Sequence, residues 1–239
     1  MNSVLHTSLN TSAPQTARLH ELQQVFAKVC NALAPLVQQT ACWNRVALHH
    51  MAYKQLRQQF PDLGSQMVCN AIYSVSRTCR VVYQHPNSPF NVQRLAGRPL
   101  PLVKFLPQSP VYFDRHTLSL KDGLVSMFTL DGRMRFELAL SKADERRFRD
   151  EKLREIVLTS RAEVFSLSFT FARPDDAAQA DEAPAAGRRA NPHSSGRLAG
   201  MDQSSLHAEL PEYVIVSDDE AVAALPHPPA AVQAAQLPT

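Results

Sequence analysis

Nine basic side chains carry the most pointed chemistry in this chain. They are Arg45, Lys54 and Arg57, then Arg77 and Arg80, then Arg115, Lys121, Arg133 and Arg135. A guanidinium presents a rigid fork of donors that matches phosphate oxygens two at a time. Contacts of that kind supply most of the affinity for a nucleic-acid backbone. Gln66 and Asn70 stand among these cations. Their amides donate and accept at once, which suits them to base edges. Residues 1–173 hold 22 Lys+Arg against 12 Asp+Glu, whereas residues 174–239 hold 3 against 10. A basic body with an acidic tail points to a polyanion partner and a tail that competes for the same surface. A solvated basic face with no partner, and a solvated tail, remain the plain alternative.

Other chemistries find less support. The carboxylates of the body are scattered, and no pair forms an acid/base couple or a two-metal site. The phosphate-loop, nucleophile-elbow and zinc-protease patterns do not occur. His49 and His50 are adjacent, so on a helix they point about 100° apart and share a metal poorly. Cys30, Cys42, Cys69 and Cys79 make no C-x-x-C pair, and they read as structural thiols, with Cys69 and Cys79 inside a helical pattern. No cofactor and no metal are expected. No apolar run reaches the roughly 18 residues of a membrane span, and no secretory signal pattern opens the chain. The expected location is cytoplasmic, nucleoid-associated in a bacterium, or nuclear in a eukaryotic host.

The elements that must position these residues follow from periodicity. Residues 3–9 alternate and read as a strand. Ser12-Ala13-Pro14-Gln15 is a helix-start signature. Leu19, Leu22, Val25, Phe26, Val29, Leu33 and Leu36 then mark one amphipathic helix. A second helix is capped by Asn44, carries Val46, His49, Tyr53, Leu56 and Phe60 on its apolar side, and stops before Pro61. A third starts near Ser65, with Val68, Ile72, Val75, Cys79 and Val82 inward. From 102 the period becomes two, with strands expected at 102–106, 111–113, 117–120, 123–129, 133–140, 155–160 and 163–171. Asp122-Gly123 and Asp131-Gly132 supply hairpin turns. Residues 141–154 read as a short helix or loop. The Ala/Pro-rich stretch from 174 buries too little apolar surface to offset its chain entropy. Only Tyr213-Val214-Ile215-Val216 interrupts it as a strand former. The expected fold class is α+β. It comprises a small antiparallel β-barrel (1–10 and 102–173), an inserted helical bundle (11–101) and a disordered acidic tail (174–239).

Two long runs carry a family resemblance. One is Asn44-Arg45-Val46-Ala47-Leu48-His49-His50-Met51-Ala52-Tyr53-Lys54-Gln55-Leu56-Arg57, followed by Phe60-Pro61-Asp62-Leu63-Gly64-Ser65-Gln66-Met67-Val68-Cys69-Asn70-Ala71-Ile72. The other is Val111-Tyr112-Phe113-Asp114-Arg115-His116-Thr117-Leu118-Ser119-Leu120, continuing through Val125-Ser126-Met127-Phe128-Thr129-Leu130-Asp131-Gly132-Arg133. They resemble the helical lobe and following β-segment of TnpB/OrfB-type transposon-encoded, RNA-guided nucleases, over about residues 3–173. The resemblance implies a wedge-type barrel with a helical recognition lobe inserted in it. Barrel and lobe would grip guide RNA and help read a short DNA motif, with Asn44, Ser65, Gln66 and Asn70 facing that DNA. Cys69, in the same stretch, would read a base poorly.

Family members continue into a RuvC-type nuclease domain, and here the Ala/Pro-rich tail stands in that place. Val214-Ile215-Val216-Ser217-Asp218 resembles only that domain's first strand and first aspartate, and one Asp cannot assemble two metals. The expectation is therefore a nucleic-acid-binding protein that does not cut. Its partners would be RNA, DNA or both, and a separately encoded nuclease subunit is a further candidate. Two alternatives stay open. One is an inactive fragment of a decayed transposase gene. The other is an adaptor acting through Tyr213 to Glu220, which resembles a SUMO-interacting motif that adds a strand to a partner's sheet.

Overall fold

The first strand and the last strand of the basic body lie side by side. Strand β1 (Ser3–Ser8) pairs antiparallel with β8 (Val164–Ala172), with Leu5 opposite Phe169. The structure, a computed structural model, describes residues 3–121, 123–172 and 210–217. Between the paired ends run α1 (Ala13–Thr40), α2 (Arg45–Gln59), α3 (Ser65–Gln84), the single turn α4 (Val92–Leu95), β2 (Leu102–Phe105), β3 (Val111–Phe113), β4 (Leu118–Lys121), β5 (Leu124–Thr129), β6 (Gly132–Glu137), α5 (Lys142–Asp150) and β7 (Lys152–Arg161). Strand β9 (Val214–Ser217) comes last.

The three long helices form where the caps and spacings place them. The Ser12 amide donates to Gln15 Oε1 at 2.9 Å, and Pro14 sits in the first turn of α1. Asn44 caps α2 by accepting from the amides of Val46 and Ala47 at 3.0 and 3.1 Å. Such a cap is worth about 1 kcal/mol. The buried face of α2 differs from the expected one. Leu48, Ala52 and Leu56 are buried, His49 and Tyr53 are half-buried, and Val46 is 64 % exposed. A four-residue step sets this face, and packing on α1 and α3 selected it over the neighbouring one. The Asn31 side chain on α1 donates to the Phe105 carbonyl at 2.9 Å and accepts from its amide at 2.7 Å. It therefore ties helix to strand as a second strand would.

The strands make three antiparallel sheets, ordered β1-β8-β7-β3, β2-β9 and β4-β5-β6. None closes into a barrel, which corrects the expected closed architecture. Period-two patterning specifies which face of a strand is buried but not its partner. Here β3 has three residues and β2 and β4 have four, and the first sheet ends openly at β1 and β3. Sheets and helices nevertheless share one core. Phe165, Leu167, Phe169 and Phe171 on β8 are fully buried, as are Leu19, Leu22 and Phe26 on α1. Burying each such side chain is worth about 1.5–3 kcal/mol. Helix α5, started by the Ser141/Asp144 capping box, sets Phe148 edge-on against Phe169 and Phe171 at 4.9 and 5.0 Å.

Turn chemistry is legible in part. Gly123 takes a positive φ of 75°; Asp122 lies outside the described residues. The second hairpin turns on Leu130-Asp131, and Gly132, at φ 110°, opens β6. The β7–β8 hairpin turns on Ala162 and Glu163, with φ of 47° and 65°. Neither residue type announces a left-handed turn.

The expected structureless tail lies outside the described residues except at 210–217. There β9 pairs with β2, Leu102 to Phe105 opposite Ser217 to Val214. The Leu106 amide donates to the Tyr213 carbonyl at 3.0 Å, and Val214 is 9 % exposed. A chain ending at residue 209 loses that bond, worth on the order of 1 kcal/mol. Its Leu106 amide is expected to exchange about tenfold faster by hydrogen–deuterium exchange. Unchanged protection would show that β9 does not cover this edge in solution.

Candidate nucleic-acid interface

The turn Asp114–Thr117, between β3 and β4, is the point on which the candidate residues converge. Asp114 Oδ1 accepts from the amides of His116 and Thr117, both at 3.0 Å, and from Thr117 Oγ1 at 2.9 Å. Its second oxygen accepts from Gln66 Nε2 at 2.6 Å, and Asn70 Nδ2 donates to Thr117 Oγ1 at 3.3 Å. The first turns of α3 are thereby locked to the sheet. This redefines two expected base readers. Asn70 is 8 % exposed and Gln66 is half-buried, and both amides bond to the protein. Asn70 faces inward, toward Thr117. Ser65 is exposed at the start of α3, while the Asn44 carbonyl is occupied as a helix cap.

Beside the turn, Arg45 lies over the Tyr73 ring at 5.5 Å. The Tyr73 hydroxyl donates to Glu155 Oε1 at 2.8 Å, and Arg77 Nη1 reaches the same oxygen at 3.0 Å. Tyr112 packs edge-on against Tyr73 at 5.5 Å. Arg77 is thus neutralised from within the fold. Arg57 donates to the carbonyls of Phe60 and Leu63 and so staples the turn between α2 and α3. Half-buried Cys69 lies within the field of Arg45, Asp114 and Arg57; burial, the largest influence, raises its pKa. On the other side of the turn, Arg133 Nη2 donates to the His116 carbonyl at 3.1 Å, so the cations of β6 adjoin Arg115. Arg115 and Arg135 are exposed, as are Lys54 and Arg80, and none of the four makes an ion pair among the described residues. Lys54 and Arg80 lie on α2 and α3, with no bond drawing them to the turn.

Tyr73, Glu155 and Asp114 escaped the sequence reading. Their signal is tertiary, since Glu155 and Tyr73 are 82 residues apart. No group of three or more His, Cys, Asp or Glu side chains suited to a metal occurs among the described residues. His49 stacks on Tyr53 at 4.6 Å. The strand of the adaptor reading is already paired with β2 at Val214–Ser217, and residues 218–220 lie outside the described residues. No helix among the described residues is long and apolar enough to cross a membrane.

Burial raises the pKa of Tyr112 well above the ordinary tyrosine value, aided by the Tyr213 hydroxyl. Burial also raises Tyr83, and pushes Cys79 up to about 12. A folded-state pKa above the unfolded one means that stability is full below the unfolded value and drains as pH climbs toward the folded one. Stability is therefore expected to fall from about pH 9 upward, by roughly 1.4 kcal/mol per pH unit for each such buried group. Urea midpoints between pH 7 and 11 check this; a flat profile would refute it.

No family model matches the chain, and no curated protein matches it, so the resemblance stands on the two sequence runs alone.

Proposed function

We propose that the basic body binds RNA, DNA or both without cleaving it, in the manner suggested by its resemblance to the front half of TnpB/OrfB-type proteins. The observation that carries this reading is the set of exposed cations around the Asp114–Thr117 turn and along α2 and α3. Arg115, Arg135, Lys54 and Arg80 have no carboxylate partner among the described residues, whereas Arg77 does. Arg45, held over Tyr73, and Ser65, at a helix start, complete the surface. Arg57, Gln66 and Asn70 act behind it by fixing its shape.

A cytoplasmic or nucleoid-associated place and a separately encoded nuclease partner follow from the same reading. The test is to purify the full chain at high salt, sequence any RNA that remains bound, and titrate the stripped protein with labelled RNA and DNA across a salt series. Defined co-purifying RNA, or affinity that falls steeply with salt, supports the proposal. Protein free of nucleic acid and without salt-dependent binding overturns it. Release of cut product in the presence of magnesium would overturn the non-cleaving part.

A further inference from the structure

The sheet β4-β5-β6 turns one face inward and one outward. Val125, Met127, Met134 and Phe136 are buried, so the two-residue period sends Ser126, Phe128, Arg133 and Arg135 to the other face. Register sets Phe128 opposite Arg133, Ser126 opposite Arg135, and Ser119 opposite Ser126. Phe128 keeps 39 % of its surface exposed. The Arg133 guanidinium lies over its ring, 4.1 Å from the centroid. It is also pinned there: Nη1 donates to the Ser126 carbonyl at 3.1 Å and to its hydroxyl at 3.4 Å, and Nη2 to the His116 carbonyl at 3.1 Å. The group therefore reaches across β5 and over a ring, held by three hydrogen bonds before any ligand arrives.

We propose that Arg133, backed by Phe128, is a stacking platform for an unpaired base of single-stranded RNA. This rests on the nucleic-acid-binding reading above and adds strandedness and sugar type to it. A planar guanidinium offers its free face to a planar base. A base inside a duplex is stacked on both sides already, so the ligand is single-stranded. Arg135 follows on the same face of β6, in reach of the adjoining phosphate, and its charge complements that backbone. Ser119 and Ser126 face each other one rung away. Their hydroxyls donate and accept, as a ribose 2′-hydroxyl does, and this is the feature that selects RNA.

The test uses the full chain with three labelled probes: a 12-nucleotide oligoadenylate RNA, the DNA of the same sequence, and an RNA duplex. Fluorescence anisotropy at fixed salt is compared for wild type, Arg133→Lys, Phe128→Ala and Phe128→Trp. Thermal melts confirm that these surface variants stay folded. Arg133→Lys keeps the charge and loses the plane, and Phe128→Trp keeps a ring. Loss of the stack is expected to weaken single-stranded RNA binding about tenfold in Arg133→Lys and Phe128→Ala. Phe128→Trp retains affinity, duplex binding is unchanged in all variants, and RNA is preferred to DNA. Wild-type binding with no loss in Arg133→Lys and Phe128→Ala overturns the platform and leaves the broader function standing. Equal affinity for RNA and DNA overturns the assignment to RNA. No binding of any probe by the wild type overturns the broader function itself.

Discussion

Replacing Lys54, Arg80, Arg115 and Arg135 together by glutamine is expected to lower nucleic-acid affinity on the order of a hundredfold at 0.2 M salt, and to flatten the salt dependence. The reason is counterion release. Each phosphate neutralised by a cation contributes roughly 0.7 to 0.9 to the slope of log affinity against log salt, so four contacts account for about 3. These four are the cations to remove because they are exposed and carry no ion pair among the described residues. Their loss leaves no buried carboxylate unpaired, so stability should change by no more than about 0.5 kcal/mol each. Arg77→Gln makes the instructive control. It leaves Glu155, whose side chain is only 15 % exposed, with the Tyr73 hydroxyl but without its cation, and should affect stability more than the salt slope. The measurement is a salt titration of binding for each variant. A quadruple variant with the wild-type slope would show that the polyanion does not lie on this surface.

Phe169→Ala is expected to destabilise the protein by about 3–5 kcal/mol, a large part of the roughly 5–15 kcal/mol that holds a domain folded. Phe169 has no exposed surface, sits opposite Leu5 and Ile156 in the middle of the four-stranded sheet, and receives the edge of Phe148. The cavity would open where β1, β7 and β8 meet, and rigid strands cannot collapse into it. Phe169→Leu fills most of that volume and should cost about 1.5 kcal/mol or less. Urea unfolding followed by circular dichroism gives both values from the shift in midpoint. A loss below about 1 kcal/mol for Phe169→Ala would mean that Phe169 is not enclosed between β1, β7 and α5 in solution.

Local order was readable wherever one residue type has one strong local use. Ser12 with Gln15, Asn44 and Pro61 marked helix limits that the structure reproduces to within about a residue. Alternation marked β5, β6 and β8, because burial of one face leaves a period of two. The β7–β8 hairpin was less readable, since Ala162 and Glu163 adopt positive φ without the glycine or asparagine that signals it. Spacing along α2 does not decide whether Val46 is buried, since two neighbouring stripes of that helix are apolar enough to bury and only its neighbours choose between them.

The candidate interface divides the same way. The cations were evident from composition and spacing, as exposed charge is a property of residue type. Which cations remain available was not evident. Arg77 is matched to Glu155, and Arg57 is turned onto the carbonyls of Phe60 and Leu63. Asn70, an apparent base reader, faces inward to Thr117. The sequence alone determined the element types, the basic body and the polar groups at helix starts, because these follow from periodicity, capping and charge over a few residues. The tertiary structure decided strand partners, the open sheets in place of a barrel, and the state of each polar side chain. Those depend on groups brought together from up to 168 residues away, as Ser3 and Phe171 are, and no local pattern encodes such a meeting.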